Sequence, residues 1–544
     1  MESVLVANRG EIAVRIIRAC RELGLRSVAV YSEADRRAPH VLMADEAYLL
    51  GAAPSSESYL RTDRLLEVAR QAGVDAIHPG YGFLSERAPF ARAVRSAGLI
   101  FIGPAPETIE AMGDKTEARR RMAAAGVPIV PGTTEPLVDA ADALRVASDI
   151  GYPVLLKASA GGGGKGMRVV ESEEECSRAF EAASREALAA FGDGAVYVEK
   201  YLGRPRHIEI QLLGDAHGRV LHLGERECSI QRRHQKLVEE APSAVLDAKT
   251  RAAMGEAAVR AAEAVNYQGA GTVEFLWQDG AFHFLEMNTR IQVEHPVTEL
   301  VTGIDLVQWQ LRVARGEPLP WTQDQIALRG HSIECRITSE DPDGGFLPST
   351  GLVRHLDVPS GPGVRWDGGI TVGTEVGLHY DPLLGKLVTW APSRIEAIDR
   401  MARALSEFVL VGVDTAIPFH RRVMAEPDFR SGNLSIRYLE EHPALLGEGG
   451  SDQPTPSAAE ALSQALGLAP ETLAALVTAL EVEVRRGRET PRITGGASVQ
   501  AAQGVQAAQG VQAGQGVGAG ARAGGSASAG RTAWQTQFDS RGTG

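Results

Sequence analysis

Cysteine is scarce in this sequence, and no two cysteines are spaced to pair locally. Only Cys20, Cys176, Cys228 and Cys335 occur in 544 residues, far apart and without a CxxC. Neither a zinc site nor a disulfide framework is expected, and isolated buried thiols are. Positive charge is also short. The net charge of −13 argues against a general nucleic-acid binder. No stretch reaches the ~18 consecutive apolar residues of a membrane span. The opening MESVLVANRG runs straight into an apolar strand rather than a secretory leader. These absences leave the expectation of an acidic cytoplasmic enzyme, with neither nucleic acid nor membrane among its partners.

What is present falls into segments of different texture. Up to about residue 113, short apolar strands at 4–7, 27–31, 76–78 and 100–102 alternate with helical patterns at 11–23, 62–72 and 90–97. That alternation predicts a parallel sheet covered on both faces. From 114 to about 330 the pattern is mixed. A helix is expected at 116–125 and strands at 153–158, 196–199 and 208–213. Strands at 272–277 and 281–286 are joined by the turn Gln278-Asp279-Gly280. Residues 331–441 are rich in strands and glycine, with a helix at 394–409. Beyond 442 two helices are expected, the second carrying Leu473, Leu476, Val477, Leu480 and Val484 on one face. From about 491 a Gly/Ala/Gln-rich tail has too little bulk for a core and is expected to be disordered.

Two segments carry most of the chemistry. In VLLKASAGGGGKGMRVV (154–170), a strand ends near Lys157, followed by Gly161, Gly162, Gly163, Gly164, Lys165, Gly166 and Met167. Glycines let backbone N–H groups approach phosphate oxygens, and lysine adds a point charge. A flexible linker would not need the strand and its lysine. No GK[ST] closes the run, so it is not a Walker A loop. In LEMNTRIQVEHPVTE (285–299), an extended chain would turn Glu286, Asn288, Arg290, Gln292 and Glu294 to one side, with Leu285, Met287, Ile291 and Val293 on the other. Glu274, on the preceding strand, is placed to meet Glu286 across the hairpin. Two carboxylates and an amide oxygen suit Mg²⁺ bridging nucleotide phosphates.

Two more segments are weaker alone. ERECSIQRRHQKLVEEAP (225–242) is dense in charge, and charge runs are usually solvated faces. HPGYGFLSE (78–86) follows a strand end and fits a plain turn as well as a functional loop.

Together these segments carry a family resemblance. ANRGEIAVRI, HPGYGFLSE, KASAGGGGKGM, PRHIEIQ, GAGTVEFL and YDPLLGKL, and above all ERECSIQRRHQK with EMNTRIQVEHPVTE, resemble biotin carboxylases of the ATP-grasp superfamily over residues 1 to about 441. The resemblance implies an α/β fold, α+β in its ATP-grasp part. The domains would be a Rossmann-like N-terminal domain (1–113), an ATP-grasp domain (114–330) with a mobile lid at about 132–203, and a mixed C-terminal domain (331–441). A helical extension (442–490) and the tail (491–544) follow.

The resemblance also implies roles at matching positions. Lys115, Lys157 and His207 would hold ATP, with the glycine run as lid. Glu199, the backbone of Lys200 and Leu202, and Leu276 would line the adenine and ribose pocket, beside Gln231 and His234. Glu274, Glu286 and Asn288 would hold two Mg²⁺ or Mn²⁺ ions. Lys236, Arg290, Gln292 and Val293 would bind bicarbonate, with Glu294 as the base. Tyr81, Gly82 and Arg336 would meet the biotin ring, Arg336 stabilising its enolate.

The implied activity is carboxylation of biotin with ATP and bicarbonate through carboxyphosphate, the first half-reaction of an acyl-CoA carboxylase, with acetyl-CoA the favoured acceptor. Alternatives are a component of a pyruvate or propionyl-CoA carboxylase, or an inactive nucleotide-binding homologue. No AMKM-like biotinylation segment occurs. The biotin would therefore sit on a separate carboxyl carrier protein, with separate carboxyltransferase subunits as further partners, and the chain itself would form a homodimer. Other ATP-grasp ligases share the glycine lid but not the HQK and QVEHPVTE segments.

Overall fold

In the computed structural model of the chain, residues 1–133, 135–158, 167–191 and 194–447 are described, with Ala469 and Thr472. The glycine run 161–166, the helical stripe 473–484 and the tail lie outside the described residues. Contacts divide the chain into a unit Met1–Glu481 and a unit Val482–Gly544, and the second is wholly outside them.

The N-terminal part is the parallel sheet that the alternation predicts. Its order is Glu46–Gly51, Arg26–Ser32, Ser3–Val6, Ala76–His78, Ile100–Phe101, with every pair parallel. Strand residues alternate between two cores. Val4, Val6 and Ala29 pack with helix Gly10–Glu22, while Leu5, Val28 and Val30 pack with helices Thr62–Ala72 and Ala88–Ser96. The strand Glu46–Gly51 was not anticipated. Its positions are mostly half-buried, so its apolar signal is weak.

The larger sheet has eight strands, all antiparallel to their neighbours. The order is Ala281–Asn288, Gly269–Gln278, Arg206–Gly214, Val220–Arg232, Gln235–Ala241, His331–Thr338, Leu383–Ala391, Val364–Gly368. The expected domain boundary at 330 therefore separates strands of one sheet. His331–Thr338 pairs with Gln235–Ala241 through Val238↔Cys335 to Ala241↔Ser332. That pairing satisfies backbone groups that would otherwise form a bare edge.

A small antiparallel sheet, Met167–Val170, Val154–Ala158 and Val196–Lys200, packs under helices Ala140–Ile150 and Glu173–Phe191. The helix expected at 394–409 ends at Glu407, and Val409–Val411 is a strand. Among the described residues, no helix is long and apolar enough to cross a membrane. All four cysteines are free and buried.

Candidate active site

A cavity of about 1010 Å³ opens between the larger sheet and the small one. One wall is the hairpin Gly269–Gln278/Ala281–Asn288. Its two-residue turn holds Asp279 and Gly280 at φ 51° and 84°, the left-handed pair that a type I′ turn requires. The register places Glu274 opposite Glu286 and Thr272 opposite Asn288.

The extended run expected through 285–299 stops at Asn288. Residues 289–294 form an irregular turn, and helix His295–Thr302 begins with Glu294 in its N-cap position and Pro296 in its first turn. Proline presets helical φ at a helix start and cannot continue a ladder, so the chain turns there. Glu86 fixes the bend, accepting from Thr289 N at 3.1 Å and Arg290 Nε at 2.8 Å. Arg290, Gln292, Val293 and Glu294 nonetheless line the same cavity as Glu274, Glu286 and Asn288. The polar stripe is real, although only its first two members lie on a strand.

The charge run at 225–242 is a solvated face only at its turn, Arg233 to Gln235. It forms strands Val220–Arg232 and Gln235–Ala241, turning through Arg233 and His234 at φ 50° and 67°. Glu225, Arg226 and Glu227 are fully buried. Buried charges persist only when paired, and these are. Glu225 takes Arg251 at 2.7 Å, and Glu227 takes Ser243 Oγ at 2.8 Å. Arg226 donates to Glu209, Gln211, Thr272, Thr298 and Gln292.

Lys236 lies at the centre of the cluster. Its Nζ donates to Glu294 at 2.6 Å, to Glu274 at 2.9 Å and to Glu209. Arg336 donates from Nη2 to the other Glu294 oxygen at 2.9 Å and from Nε to Glu239 at 2.6 Å. Burial alone would raise the Glu294 carboxyl, but Lys236, Arg336 and Arg226 together hold it below the usual carboxylate range. The three carboxylates around Lys236 outweigh its own burial and push its ammonium well up. Both charged forms therefore persist at neutral pH. Burial also opposes charge on His207, yet Glu274, 3.0 Å away, and Glu209 raise it to about 9.

Opposite these lies a second set. Lys157 meets Glu199, which also takes Arg119 at 2.8 Å. Lys115, in the first turn of helix Lys115–Ala124, faces the cavity with Met167, Gln231, His234 and Leu276. Among the described residues, four of those predicted are not in the cavity lining. Lys200 gives its N–H to Pro131 O at 2.7 Å and its Nζ to the Gly151 and Tyr152 carbonyls, and Leu202 lies beyond it. The Tyr81 hydroxyl is bound to Glu11, and Tyr81 O accepts from Asn8 at 2.7 Å, which fixes the 79–82 loop from behind. Gly82 is exposed in the same loop.

Glu209, Arg226, Glu86, Arg119 and Glu239 were missed by sequence reasoning. Glu209 had a legible signal, since His207, Glu209 and Gln211 alternate along one strand as a polar row that no surface strand needs.

Glu274, Glu286 and Asn288 fit a divalent cation by the chemistry of their donors. Two carboxylates stand opposite in register with the Asn288 amide beside them, its Nδ2 on Glu274 at 3.0 Å and its oxygen on Arg290 at 2.7 Å, and carboxylate and amide oxygens are hard ligands. Burial and the neighbouring Glu274 both raise Glu286.

Comparison with known proteins is extensive. Residues 1–109 match the biotin carboxylase N-terminal domain, 114–322 the carbamoyl-phosphate synthase L chain ATP-binding domain, and 334–441 the biotin carboxylase C-terminal domain. One of the pyruvate carboxylase subunits of Methanothermobacter thermautotrophicus is 55% identical over 439 residues, covering 81% of this chain and 89% of that protein. A biotin carboxylase of Nostoc sp. is 53% identical over 441 residues, covering 81% and 99%. Among solved structures, the biotin carboxylase domain dimer of Hydrogenobacter thermophilus 2-oxoglutarate carboxylase, in complex with MgADP, ADP and bicarbonate, is 52% identical with a TM-score of 0.74. It covers 82% of this chain and 98% of its own.

Proposed function

The chain belongs to the biotin carboxylase family of the ATP-grasp superfamily, whose chemistry is ATP- and bicarbonate-dependent, and on that premise we propose how its cleft divides the work. The observation that carries the reading is Glu294, a buried carboxylate held ionised between Lys236 and Arg336. Bicarbonate is a poor nucleophile, so a base must take its proton as it attacks the γ-phosphate. Glu294 is that base. Lys236, Arg290, Gln292 and the Val293 backbone hold the anion beside it. Lys115, Lys157 and the His207 cation face the ATP phosphates, and Glu199, Leu276, Gln231 and His234 the rest of the nucleotide. Glu274, Glu286 and Asn288 would hold Mg²⁺ or Mn²⁺, which supplies charge neutralisation for the transferring phosphoryl group. Carboxyphosphate then breaks to CO₂ and phosphate, the phosphate takes the ureido N–H proton of biotin, and Arg336 leaves Glu294 to meet the ureido oxygen of the enolate so formed, whose nitrogen attacks CO₂.

We assign the domains as 1–113, 114–330 and 331–441, which the three family matches support. The biotin is borne by a separate carrier protein, carboxyltransferase chains complete the complex, and this chain pairs with itself, as the Hydrogenobacter domain does. An acetyl-CoA acceptor has less behind it than the pyruvate alternative. The relatives include subunits of a pyruvate carboxylase and of a 2-oxoglutarate carboxylase, beside proteins named only biotin carboxylase. The test is ATP cleavage by the purified chain, which should require bicarbonate and rise with free biotin. Cleavage indifferent to both would overturn the reading. Identifying the chains that co-purify with the native protein, and assaying each 2-oxo acid and acyl-CoA, decides the acceptor.

A further inference from the structure

Behind Glu294 and Arg336 lies a second acidic centre with no part in the scheme above. Strand Gln235–Ala241 places Glu239 directly opposite Glu334 on His331–Thr338, and both are fully buried. Opposed like charges repel. Arg336, two residues further along the same strand face, engages one Glu239 oxygen. Among the described residues, the other Glu239 oxygen and both Glu334 oxygens meet no hydrogen-bond donor.

The cations and titratable groups nearby are committed elsewhere. Lys386, opposite Arg336 on the next strand, donates to Val293 O at 2.9 Å and pairs with Glu11 at 3.1 Å. His420 meets the Arg336 carbonyl at 2.7 Å. Glu294 adds a further negative charge from the helix His295–Thr302 side. Ile333, Cys335 and Ile337 turn the other way, into an apolar core with Ala397, Ile398 and Met401, which offers no counter-charge. A buried carboxylate with both oxygens unbonded is costly. A protonated one, donating to the free oxygen of Glu239, satisfies that oxygen and one of its own and removes one of the two opposed charges.

We propose that Glu239 and Glu334 hold one proton between them and together position Arg336. With the proton bound, the pair carries one negative charge and Arg336 is free to leave for the biotin ring. Without it, two charges hold the guanidinium back. The titration fits this arrangement. Burial lifts Glu334 well above the carboxylate range despite the pull of Lys386, with Glu239 adding to the shift, and burial lifts Glu239 to about 7 against the pull of Arg336 and Lys236. The inference rests on the reading of Arg336 as the group that meets biotin.

The test uses the full chain. Glu334→Gln keeps a donor toward Glu239 at every pH. The alkaline limb of its biotin carboxylation should move up by about one pH unit or more, while bicarbonate-dependent ATP cleavage without biotin keeps the wild-type limb. Glu334→Leu strips the donor and should lose about tenfold or more in biotin carboxylation, with KM for MgATP unmoved. A Glu334→Gln limb that superimposes on wild type, or moves equally in both assays, overturns the proposal. Infrared titration of the wild type needs no variant to fold. A carboxylic-acid band lost together with the alkaline limb supports the pair, and no such band at neutral pH overturns it. Arg336→Ala in parallel separates the two ideas. If that variant carboxylates biotin normally, the reading of Arg336 fails. If it is crippled while the Glu334→Gln limb stays put, only the shared proton fails.

Discussion

At the scale of single residues, the cleft depends on charges that cannot be removed one at a time. Glu294→Gln keeps the shape but not the base. It should fold, bind MgATP and lose about a hundredfold or more of bicarbonate-dependent ATP cleavage, measured as phosphate release with and without bicarbonate. Turnover within a few-fold of wild type would move the base elsewhere. Arg336→Ala is argued from sequence of events. The enolate forms after carboxyphosphate, so biotin carboxylation should fall by about tenfold more than ATP cleavage does. Equal losses in the two assays would return Arg336 to a role as partner of Glu294 alone. Glu294 was legible in the sequence for a reason that partly failed. Alternation pointed to it, yet the strand ends at Asn288 and the turn carries it back to the same wall. Glu209 was not found, because one acid in a β-rich segment looks ordinary until His207 and Gln211 are counted with it.

At the scale of elements, the strand His331–Thr338 matters most, because it carries Arg336 and joins the C-terminal part to the ATP-binding sheet. Its pairing partner carries Glu240 next to its end, a buried carboxylate that takes Arg394 at 2.7 Å and 3.1 Å and His331 at 2.7 Å. Burial works against the charge, but His331 and Arg394 hold Glu240 down at about 2. The folded value lies below the unfolded one. The stabilisation is therefore present in full above about pH 4.5 and is lost as pH falls toward 2, up to about 3 kcal/mol in all. Arg394→Met leaves that charge buried without its cation. It should cost about 3 kcal/mol or more at neutral pH, read from the urea midpoint, and flatten the acid dependence between about pH 4.5 and 2. A midpoint unchanged at neutral pH would show the seam to be held by other contacts. The segment 225–242 reads as a solvated run because residue types alone say nothing about partners. Arg251, Arg206 and Arg394, which make its burial tolerable, lie 26, 21 and 154 residues from the acids they pair with.

At the scale of the whole molecule, the parallel N-terminal sheet was legible because a parallel sheet with two covered faces writes continuous apolar strands into the sequence. The eight-stranded sheet was less so, since half of it faces a polar cleft and its strands lack apolar runs. The C-terminal limit of the catalytic body follows from packing. Leu445 is buried with Phe419, Val423 and Leu439, and its carbonyl accepts from Arg422 at 2.9 Å. The family match ends at 441, and the Nostoc relative, covered over 99% of its length, matches only 441 residues of this chain. A chain ending at Gly447 should therefore keep free-biotin carboxylation within about twofold of the full chain. One ending at Glu441 strips Leu445 from its core and should lose about 2–3 kcal/mol of stability, seen as a lower thermal midpoint. The extension 448–544 then has two readings that the same shortened chain separates. If it serves only itself, co-purification with the carrier and carboxyltransferase chains is unaffected by its removal. If the stripe Leu473, Leu476, Val477, Leu480 and Val484 docks a partner, the shortened chain keeps its isolated activity and loses that association. Collapse of the isolated activity itself would place the extension within the catalytic fold, against the packing at Leu445.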